Sequence, residues 1–292
     1  MKDALYRIRY NNIAFLSVLR RMADIITGER IQNRCAVTVG SPGDFNWDPK
    51  SSKYIQPRSI QKSWNNPSTI FCYGRRLNDF RKILPYIRNP YTLYTHNSDE
   101  NVTGQYTDIA NHRLLKHWYA QNLLFRHPKV TLMPIGIANS IWPHGDTSAV
   151  ARVRNFPAPK TKDFYFYFSL HTNVRDRILC YIQLKQKGVP FGAAAPNYFT
   201  YMQQLSAYKY AICPPGNGVD SHRIWEALYV GVIPIVLRSV FTELIAKHVP
   251  CVLLNTWAEF DSAKILGSYT QPNYAEYKDY LDIRRLIEQS VS

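Results

Sequence analysis

The segment Tyr210–Ser239 combines the residue types that a phosphate-binding site needs. A short apolar strand, Tyr210–Cys213, ends at prolines and glycines, which stop a strand and let the backbone come close to a ligand. A helix is predicted to begin just afterwards, with Asp220 or Ser221 as a good N-cap. A Gly-rich turn that opens a helix presents free N–H groups and the positive end of the helix dipole, which suits a phosphate. The turn consists of Pro214, Pro215, Gly216, Asn217 and Gly218.

The predicted helix then places two charged side chains on one face. Arg223 and Glu226 are three residues apart and therefore lie on the same side of a helix. An arginine in the first turn can hold a diphosphate through charge-assisted hydrogen bonds, and a glutamate one turn later can accept from ribose hydroxyls. The alternative is an ordinary surface pair worth under ~0.5 kcal/mol, but the preceding turn favours a nucleotide-diphosphate site. His222, at the start of the helix, is a further candidate residue of this nucleotide-diphosphate site.

A second step from loop to helix offers another phosphate contact. The stretch Ser169–Arg175 follows a predicted strand and opens a predicted helix. Thr172 or Asn173 can cap that helix, and Arg175 lies in its first turn, so the geometry again suits a phosphate. The alternative is a plain capped helix start. The candidate residues from this element are His171, Thr172, Asn173 and Arg175.

Strand and helix patterns alternate along the chain, which is typical of parallel βα units. A Pro- and Lys-rich stretch, Phe156–Lys162, separates two α/β series, and we place the boundary near 145–160. The predicted domains are residues 1–150 and 151–272, with a C-terminal helix within 273–292 that completes the first. The predicted strands are Ala36–Val39, Thr69–Tyr73, Tyr91–Thr95, Val130–Pro134, Phe164–Phe168, Tyr210–Cys213, Val232–Leu237 and Cys251–Leu254. The predicted helices are Leu77–Leu84, Thr107–Phe125, Val174–Lys187, Phe199–Ala207, His222–Val230, Val240–Lys247 and Tyr274–Val291.

Composition narrows the class of protein without deciding its function. The 292 residues include 36 Lys and Arg against 21 Asp and Glu, a formal net charge of +15. Such a chain is neither a disordered tail nor a disulfide miniprotein, but the charge fits an enzyme for anionic ligands, a nucleic-acid binder or a membrane-surface protein. The odd number of cysteines, 5, favours reduced thiols. Residues 1–26 read as an amphipathic helix, and no stretch approaches the ~20 apolar residues of a membrane span. We therefore expect a soluble, cytoplasmic protein.

The segment around Arg223 resembles the donor-binding signature of the exostosin-like glycosyltransferases. The family pattern is close to CP-x-G-x-G-x-D-S-x-R-x-W-E-A-L-x-x-G-x-I-P-V. The stretches LYTHNSDENV, KHWYAQN and PIGIANSIWPHG also resemble a soluble branch of the family that includes members encoded by large algal viruses, the chloroviruses. The matching residues of the signature are Cys213, Pro214, Gly216, Gly218, Asp220, Ser221, Arg223, Trp225, Glu226, Ala227, Leu228, Gly231, Ile233 and Pro234.

This resemblance implies a GT-B fold, in which two Rossmann-like domains face an inter-domain cleft. It implies an inverting transfer of a sugar from a UDP-sugar, of the UDP-xylose, UDP-glucuronate or UDP-GlcNAc type. The acceptor would be a hydroxyl of an oligosaccharide or of a glycoprotein glycan. By position in the motif, Arg223 would hold the diphosphate and Glu226 the ribose.

An inverting transfer needs a base that takes the proton of the acceptor hydroxyl. The base should lie at the carboxyl end of a strand in the first domain, where it faces the cleft. One loop follows the predicted strand Tyr91–Thr95 and carries His96 and Asp99, and another follows Ala36–Val39 and carries Asp44. We favour Asp99, then His96, then Asp44. The alternatives are a hydrogen-bonded strand-end histidine and a turn-capping aspartate.

The aspartate spacing predicts transfer without a metal ion. Metal-dependent glycosyltransferases of the other major fold hold a cation with an Asp-x-Asp pair, and the 14 aspartates here include no pair two residues apart. The charge of a leaving diphosphate would then be met by basic side chains and helix N-termini. We expect no metal and no cofactor other than the nucleotide sugar as co-substrate. The alternatives are a nucleic-acid or polyanion-binding module and an inactive sugar-nucleotide binder.

Overall fold

The computed structural model describes residues 22, 24–45, 50–51, 53–60 and 64–288. Most of the predicted N-terminal amphipathic helix, residues 1–26, therefore lies outside the described residues. Two fully parallel sheets, of six and four strands, organise the rest of the chain. Parallel strands need crossover connections, and helices supply most of them here.

The first sheet has the strand order β2-β1-β3-β4-β5-β6. Its strands are β1 (Val37–Val39), β2 (Tyr54–Ile55), β3 (Thr69–Tyr73), β4 (Tyr91–His96), β5 (Leu115–Ala120) and β6 (Val130–Leu132). Its helices are α1 (Gly28–Arg34), α2 (Leu77–Ile83) and α3 (Thr107–Ala110). Strand β4 is buried along its whole length, because it lies between β3 and β5 and helix α1 packs against it.

The predicted helix Thr107–Phe125 is wrong over most of its length. Only Thr107–Ala110 is helical, and β5 follows at Leu115–Ala120. The β5 backbone pairs with β4 on one side and β6 on the other, and Trp118 is fully buried and donates its ring N–H to Thr95 Oγ1 at 2.9 Å. This long-range pairing outweighs the local helical pattern.

The second sheet has the order β10-β9-β8-β7. Its strands are β7 (Lys162–Tyr165), β8 (Tyr208–Ile212), β9 (Ile233–Leu237) and β10 (Val252–Leu254). The helices that accompany it are α4 (Thr147–Asn155), α5 (Val174–Gln186), α6 (Tyr198–Ser206), α7 (His222–Tyr229), α8 (Val240–Ile245) and α9 (Ser262–Gly267). Helix α4, which the sequence pattern missed, packs against α6 and α7.

The C-terminal segment returns to the first sheet. It consists of α10 (Tyr274–Tyr277), a 3₁₀ turn at Lys278–Leu281 and α11 (Ile283–Glu288), not of one continuous helix. The break occurs where the backbone of Asp282 pairs with Ile25, and Ile283 N–H donates to Asp24 O at 2.9 Å. Ile283 is buried in a cluster that includes Phe71 of the first sheet. The C-terminal segment thus pairs with and packs against the N-terminal part of the described chain.

These two parallel sheets with their helices confirm the predicted α/β class. The loops after β4 and β6 of the first sheet and those after β7 and β8 of the second line one shared cleft. This is the arrangement expected of a GT-B fold, with a ligand site outside the carboxyl ends of the strands. Among the described helices, none is long and apolar enough to cross a membrane.

Candidate functional site

A cavity of about 890 Å³ occupies the cleft between the two sheets. The second sheet supplies most of its lining, through the loops after β7 and β8 and the start of α7. The loops that follow strands of the first sheet supply Asp99, Ile135, Trp142, Pro143 and His144. Its volume lies in the usual range for small-molecule sites. Of the predicted donor-binding residues, those that line it are Thr172, Gly216, Asn217, Gly218, Asp220, Ser221, His222, Arg223 and Glu226.

Two arginines face this cavity without a carboxylate partner. Arg223 has its Nε atom buried with no hydrogen-bond partner, and its Nη1 lies 3.5 Å from the hydroxyl of Tyr201. Arg177, 6% exposed, donates Nε–H to Pro215 O at 3.0 Å and Nη1–H to Ser169 O at 2.9 Å. Within the described ranges neither guanidinium forms an ion pair with a carboxylate. Buried charges are ordinarily paired, so these two cations point to an anionic ligand.

The electrostatics of Arg177 support the same conclusion. Burial, together with repulsion from the neighbouring Arg223, lowers the pKa of Arg177 to about 10. It remains protonated at neutral pH but at a cost in free energy. An anion between the two guanidinium groups would relieve both the desolvation and the repulsion.

Arg177 is a cavity-lining arginine that the sequence pattern did not predict. Arg175, the predicted one, is exposed and does not line the cavity, and neither does His171. A signal was present, because Arg177, Cys180 and Leu184 recur at i, i+3 and i+7 and are all buried. That spacing places Arg177 on the inner face of α5, two residues and half a turn away from Arg175.

Asn173 supports the Gly-rich turn instead of lining the cavity. Its backbone is left-handed, with φ 44°, and its side-chain Nδ2 donates to Gly216 O at 2.8 Å and to Asp176 Oδ2 at 3.0 Å. Asparagine tolerates this backbone better than most residues. The second loop-to-helix element therefore holds the first one in place.

Glu226 lies inside the site with both oxygens engaged. The side chain is 5% exposed, and it accepts hydrogen bonds from the hydroxyls of Tyr198 at 3.1 Å and Tyr201 at 2.7 Å. Burial raises the pKa of both phenols well above the ordinary value, so both remain donors at neutral pH. Each carboxylate oxygen has a further lone pair and can accept from a ligand hydroxyl.

Residues 217–222, which we call the seam loop, also bind the two sheets together. Val219 N–H donates to Asn101 Oδ1 at 3.3 Å, and Asp220 N–H donates to Asn122 Oδ1 at 2.9 Å. His222 Nδ1 lies 2.8 Å from Gly136 O, across the same boundary. The segment that lines the ligand cavity is thus also the contact between the two halves of the molecule.

The Asp220 carboxylate holds this loop in place through two hydrogen bonds. Its carboxylate, 3% exposed, accepts from Trp225 Nε1–H at 2.6 Å and from Ile135 N–H at 2.7 Å. Burial raises its pKa to about 7, even though both hydrogen bonds act in the opposite direction. Ser221, the N-cap residue of α7, is buried and makes no side-chain capping bond.

The seam loop requires glycine at position 218. A Cβ atom there would lie 2.6 Å from Asn122 Oδ1, and the Asn122 side chain is held by Asp220 N and by Ser98 O. We expect Gly218→Ala to lower the free energy of unfolding by about 1–3 kcal/mol through overpacking. The matched control is Gly216→Ala, whose Cβ would meet nothing closer than 3.8 Å. Urea unfolding of both variants measures the difference, and equal stability of the two would contradict the close contact.

The three predicted base residues have different surroundings. Asp99 is exposed at the mouth of the cavity, where it accepts from Asn217 Nδ2 at 3.2 Å across the cleft. His96 is 2% exposed, its Nε2 lies 3.2 Å from Pro134 O, and burial lowers its pKa to about 4. Asp44 is buried between Arg75 and Arg76, with Nε–oxygen distances of 2.8 and 3.1 Å, and lines neither cavity described in this subsection. The structure therefore brings Asp99 to the cleft but encloses Asp44 in an ion-pair cluster.

A second cavity of about 450 Å³ adjoins the first on the side of the first sheet. Asp99, Ile135, Trp142 and His222 line both. Asp99 and His222 therefore lie at the boundary between the two cavities. His222 Nδ1–H donates to Gly136 O in the tautomer that leaves Nε2 free, and burial lowers the pKa of this imidazole. In the part of the chain that the structure covers, no His, Cys, Asp and Glu residues are grouped so that they could hold a metal ion.

Comparison with known proteins gives a sequence relative and a structural neighbour. No protein-family model matches the chain. A protein of Arabidopsis thaliana named "Probable glycosyltransferase" is 27% identical over 139 residues, which are 45% of this chain and 27% of the plant protein. The chain thus spans about a quarter of that relative's length. The crystal structure of an α1,3-fucosyltransferase aligns over 82% of this chain and 71% of its own, with 13% identity and a TM-score of 0.35, a level that carries no functional information.

Proposed function

We propose that this chain is an inverting glycosyltransferase that moves a sugar from a nucleoside-diphosphate sugar to a hydroxyl of a glycan, without a metal ion. The observation that carries the proposal is the pair of arginines, Arg177 and Arg223, which face the cleft without a carboxylate partner. The plant relative and the dense exostosin-like motif around Arg223 support the same reaction class. We place the chain with the exostosin-like enzymes on that motif.

The donor would lie on the second sheet. Its diphosphate would bind between Arg177 and Arg223, beside the turn that contains Gly216, where charge-assisted hydrogen bonds are strongest. The ribose hydroxyls would donate to Glu226, whose position Tyr198 and Tyr201 fix. Uridine is our proposed nucleoside, with xylose, glucuronate or N-acetylglucosamine as the transferred sugar.

The transfer would be a single displacement at the mouth of the donor cavity. The acceptor oxygen attacks the anomeric carbon from the face opposite the diphosphate, and the bond between that carbon and the phosphate oxygen breaks. The hydroxyl proton passes to the Asp99 carboxylate, and the electron pair leaves with the diphosphate. Arg177 and Arg223 stabilise the charge that develops on the leaving group.

A thermal-shift screen against UDP, GDP, CMP and their sugars tests the nucleotide. We expect UDP to raise the melting temperature, because a ligand that binds only the folded state stabilises it by RT ln(1 + [L]/Kd). Sugar transfer with the best donor should proceed at the same rate after treatment with EDTA. A protein that no nucleotide stabilises would contradict the proposal, and an absolute requirement for Mn²⁺ would contradict its metal-independent form.

A further inference from the structure

The second cavity contains a buried amide oxygen without a partner. Gln121, 3% exposed, follows β5, and its Nε2 donates to Ser98 O at 3.0 Å. Its Oε1 is buried and has no hydrogen-bond partner within the described ranges. Exchanging the two amide atoms would turn the oxygen toward the Ser98 carbonyl, so the orientation is set by that contact. A buried acceptor without a donor is costly, and a ligand hydroxyl would satisfy it.

The neighbouring amides do not share this feature. Asn139 Oδ1 accepts from Glu29 N at 2.8 Å, and its Nδ2 donates to Asn97 Oδ1 at 2.9 Å. Asn97 Nδ2 in turn donates to Gln32 Oε1 at 3.3 Å. These side chains form a closed network that builds the cavity wall, whereas Gln121 lines the cavity with one amide acceptor unpaired.

An exposed tryptophan stands at the junction of the two cavities. Trp142 is 55% exposed and lies on a turn. Within that turn the backbone N–H of Trp142 donates to Asn139 O at 3.0 Å, and the backbone N–H of Gly145 donates to Trp142 O at 2.8 Å. A Cβ on Gly145 would lie 2.1 Å from Asn139 O, so the turn is compact and needs glycine there. An indole face is electron-rich, and it packs well against the C–H face of a sugar ring.

Charge selects among sugars. Arg75 is the arginine that lines this cavity, and it shares the Asp44 carboxylate with Arg76, which also pairs with Asp79 at 3.6 Å, so two arginines face two carboxylates. The carboxylates of Asp99 and Glu100 also line it. The excess local charge is therefore negative, and it disfavours an acidic sugar.

We propose that the second cavity is a subsite for a neutral pyranose of the acceptor, with Trp142 stacked on the ring and Gln121 Oε1 accepting from a ring hydroxyl. A second hydroxyl of the same ring would then point to Asp99, at the boundary with the donor cavity. The place of this subsite in the reaction rests on the proposed function. Binding of the sugar itself does not, and can be measured separately.

Saturation-transfer NMR with methyl glycosides tests the subsite. The probes are methyl β-D-glucopyranoside, methyl β-D-galactopyranoside and methyl β-D-xylopyranoside, with methyl β-D-glucuronide as the acidic comparison. We expect at least one neutral glycoside to bind with a Kd of about 1 mM, as suits a ligand of about a dozen non-hydrogen atoms, and the glucuronide to bind more weakly. If no neutral glycoside binds with a Kd below roughly 50 mM, fifty times that expectation, the proposal is overturned.

Paired variants assign the binding to these two side chains. Gln121→Leu and Trp142→Ala should each weaken glycoside binding by about tenfold or more. The controls are Gln183→Leu, which removes another unpartnered buried amide oxygen away from both cavities, and Phe156→Ala, which removes a more exposed aromatic ring. Both controls should bind within twofold of the unsubstituted protein. Unchanged binding in Gln121→Leu and Trp142→Ala would overturn the assignment.

The variants should fold, and the two proposals can fail separately. Ser98 O keeps the donor Asn122 Nδ2 at 2.9 Å when the Gln121 amide is removed, and Trp142 is largely exposed. Gln121 lies outside the donor cavity, so Gln121→Leu should leave the UDP-induced thermal shift unchanged. UDP binding without glycoside binding overturns the subsite alone. Glycoside binding without nucleotide binding overturns the transferase and leaves the subsite.

Discussion

Replacing Arg223 with methionine should abolish sugar transfer and weaken UDP binding while leaving the protein folded. The guanidinium donates to no carboxylate of the described chain, and its Nε is buried without a partner, so removing it breaks no ion pair. Methionine has a similar length and can pack against the rings of Phe168 and Tyr201, which the guanidinium carbon approaches to 6.0 Å. The buried Glu226 carboxylate, which raises the pKa of Arg223, stays fixed by Tyr198 and Tyr201 but loses a favourable charge interaction, so we expect the free energy of unfolding to fall by about 0.5–3 kcal/mol.

The functional loss should be large because the lost hydrogen bonds are to a charged group. Such a bond contributes about 1.5–3 kcal/mol, so the Kd for UDP should rise by roughly 10- to 150-fold. Loss of a group that stabilises the leaving diphosphate should lower kcat by about 10²- to 10³-fold. Calorimetry with UDP, a transfer assay and urea unfolding give the three quantities on one preparation.

Arg126→Met is the matched control. Arg126 forms an exposed ion pair with Glu243 at 2.9 Å and lines neither the first nor the second cavity. Its loss should change stability by no more than about 1 kcal/mol and leave UDP binding intact. If Arg223→Met binds UDP as tightly as the control does, the diphosphate assignment is wrong. Arg177→Met is a less clean test, because it also removes hydrogen bonds to two backbone carbonyls.

The second large effect is expected at Asp99, where asparagine should remove turnover but spare nucleotide binding. A positioned general base contributes about 10²- to 10⁴-fold to a rate, and an amide cannot take the proton. Asparagine keeps an oxygen that can accept from Asn217 Nδ2, now at 3.2 Å from the carboxylate, so the contact across the cleft survives. We expect kcat to fall by that factor with an unchanged Kd for UDP.

Glu100→Gln controls for the loss of one negative charge beside the same loop. Glu100 is exposed like Asp99, but of the two cavities it lines only the second. The turnover of the Glu100→Gln variant should stay within a few-fold of that of the unsubstituted enzyme. Retained turnover in Asp99→Asn would remove Asp99 from the mechanism, and loss of turnover in His222→Asn would then transfer the base role to the free Nε2 of His222.

Much of the fold was predictable, because local sequence patterns indicate most of its strands and helices. The strand Thr69–Tyr73 has the predicted bounds, and α5 begins at Val174 as predicted, since apolar runs and turn residues mark those positions. Strand β5 was missed because its identity depends on partners on both sides, which one sequence does not display. Thus local signals located the elements, and long-range pairing decided an ambiguous one.

The candidate site divides in the same way. The Gly-rich turn and α7 lie where the sequence places them, since composition alone stops the strand and starts the helix. Asp44 could not be excluded beforehand, because its capture by Arg75 and Arg76 depends on two loops meeting. The open acceptor of Gln121 is likewise a property of packing, since any glutamine has the same atoms and only its surroundings leave one unpaired.

The seam loop also couples proton binding to solvent exposure. Burial raises the pKa of Asp220 to about 7 and lowers the pKa of His222 below its ordinary value. Exposing both side chains to water would return these values to about 3.9 and 6.5, so the carboxyl group would become a stronger acid and the imidazole a stronger base. At neutral pH, a rearrangement that solvates Asp220 would therefore release the proton that the buried carboxyl group partly retains.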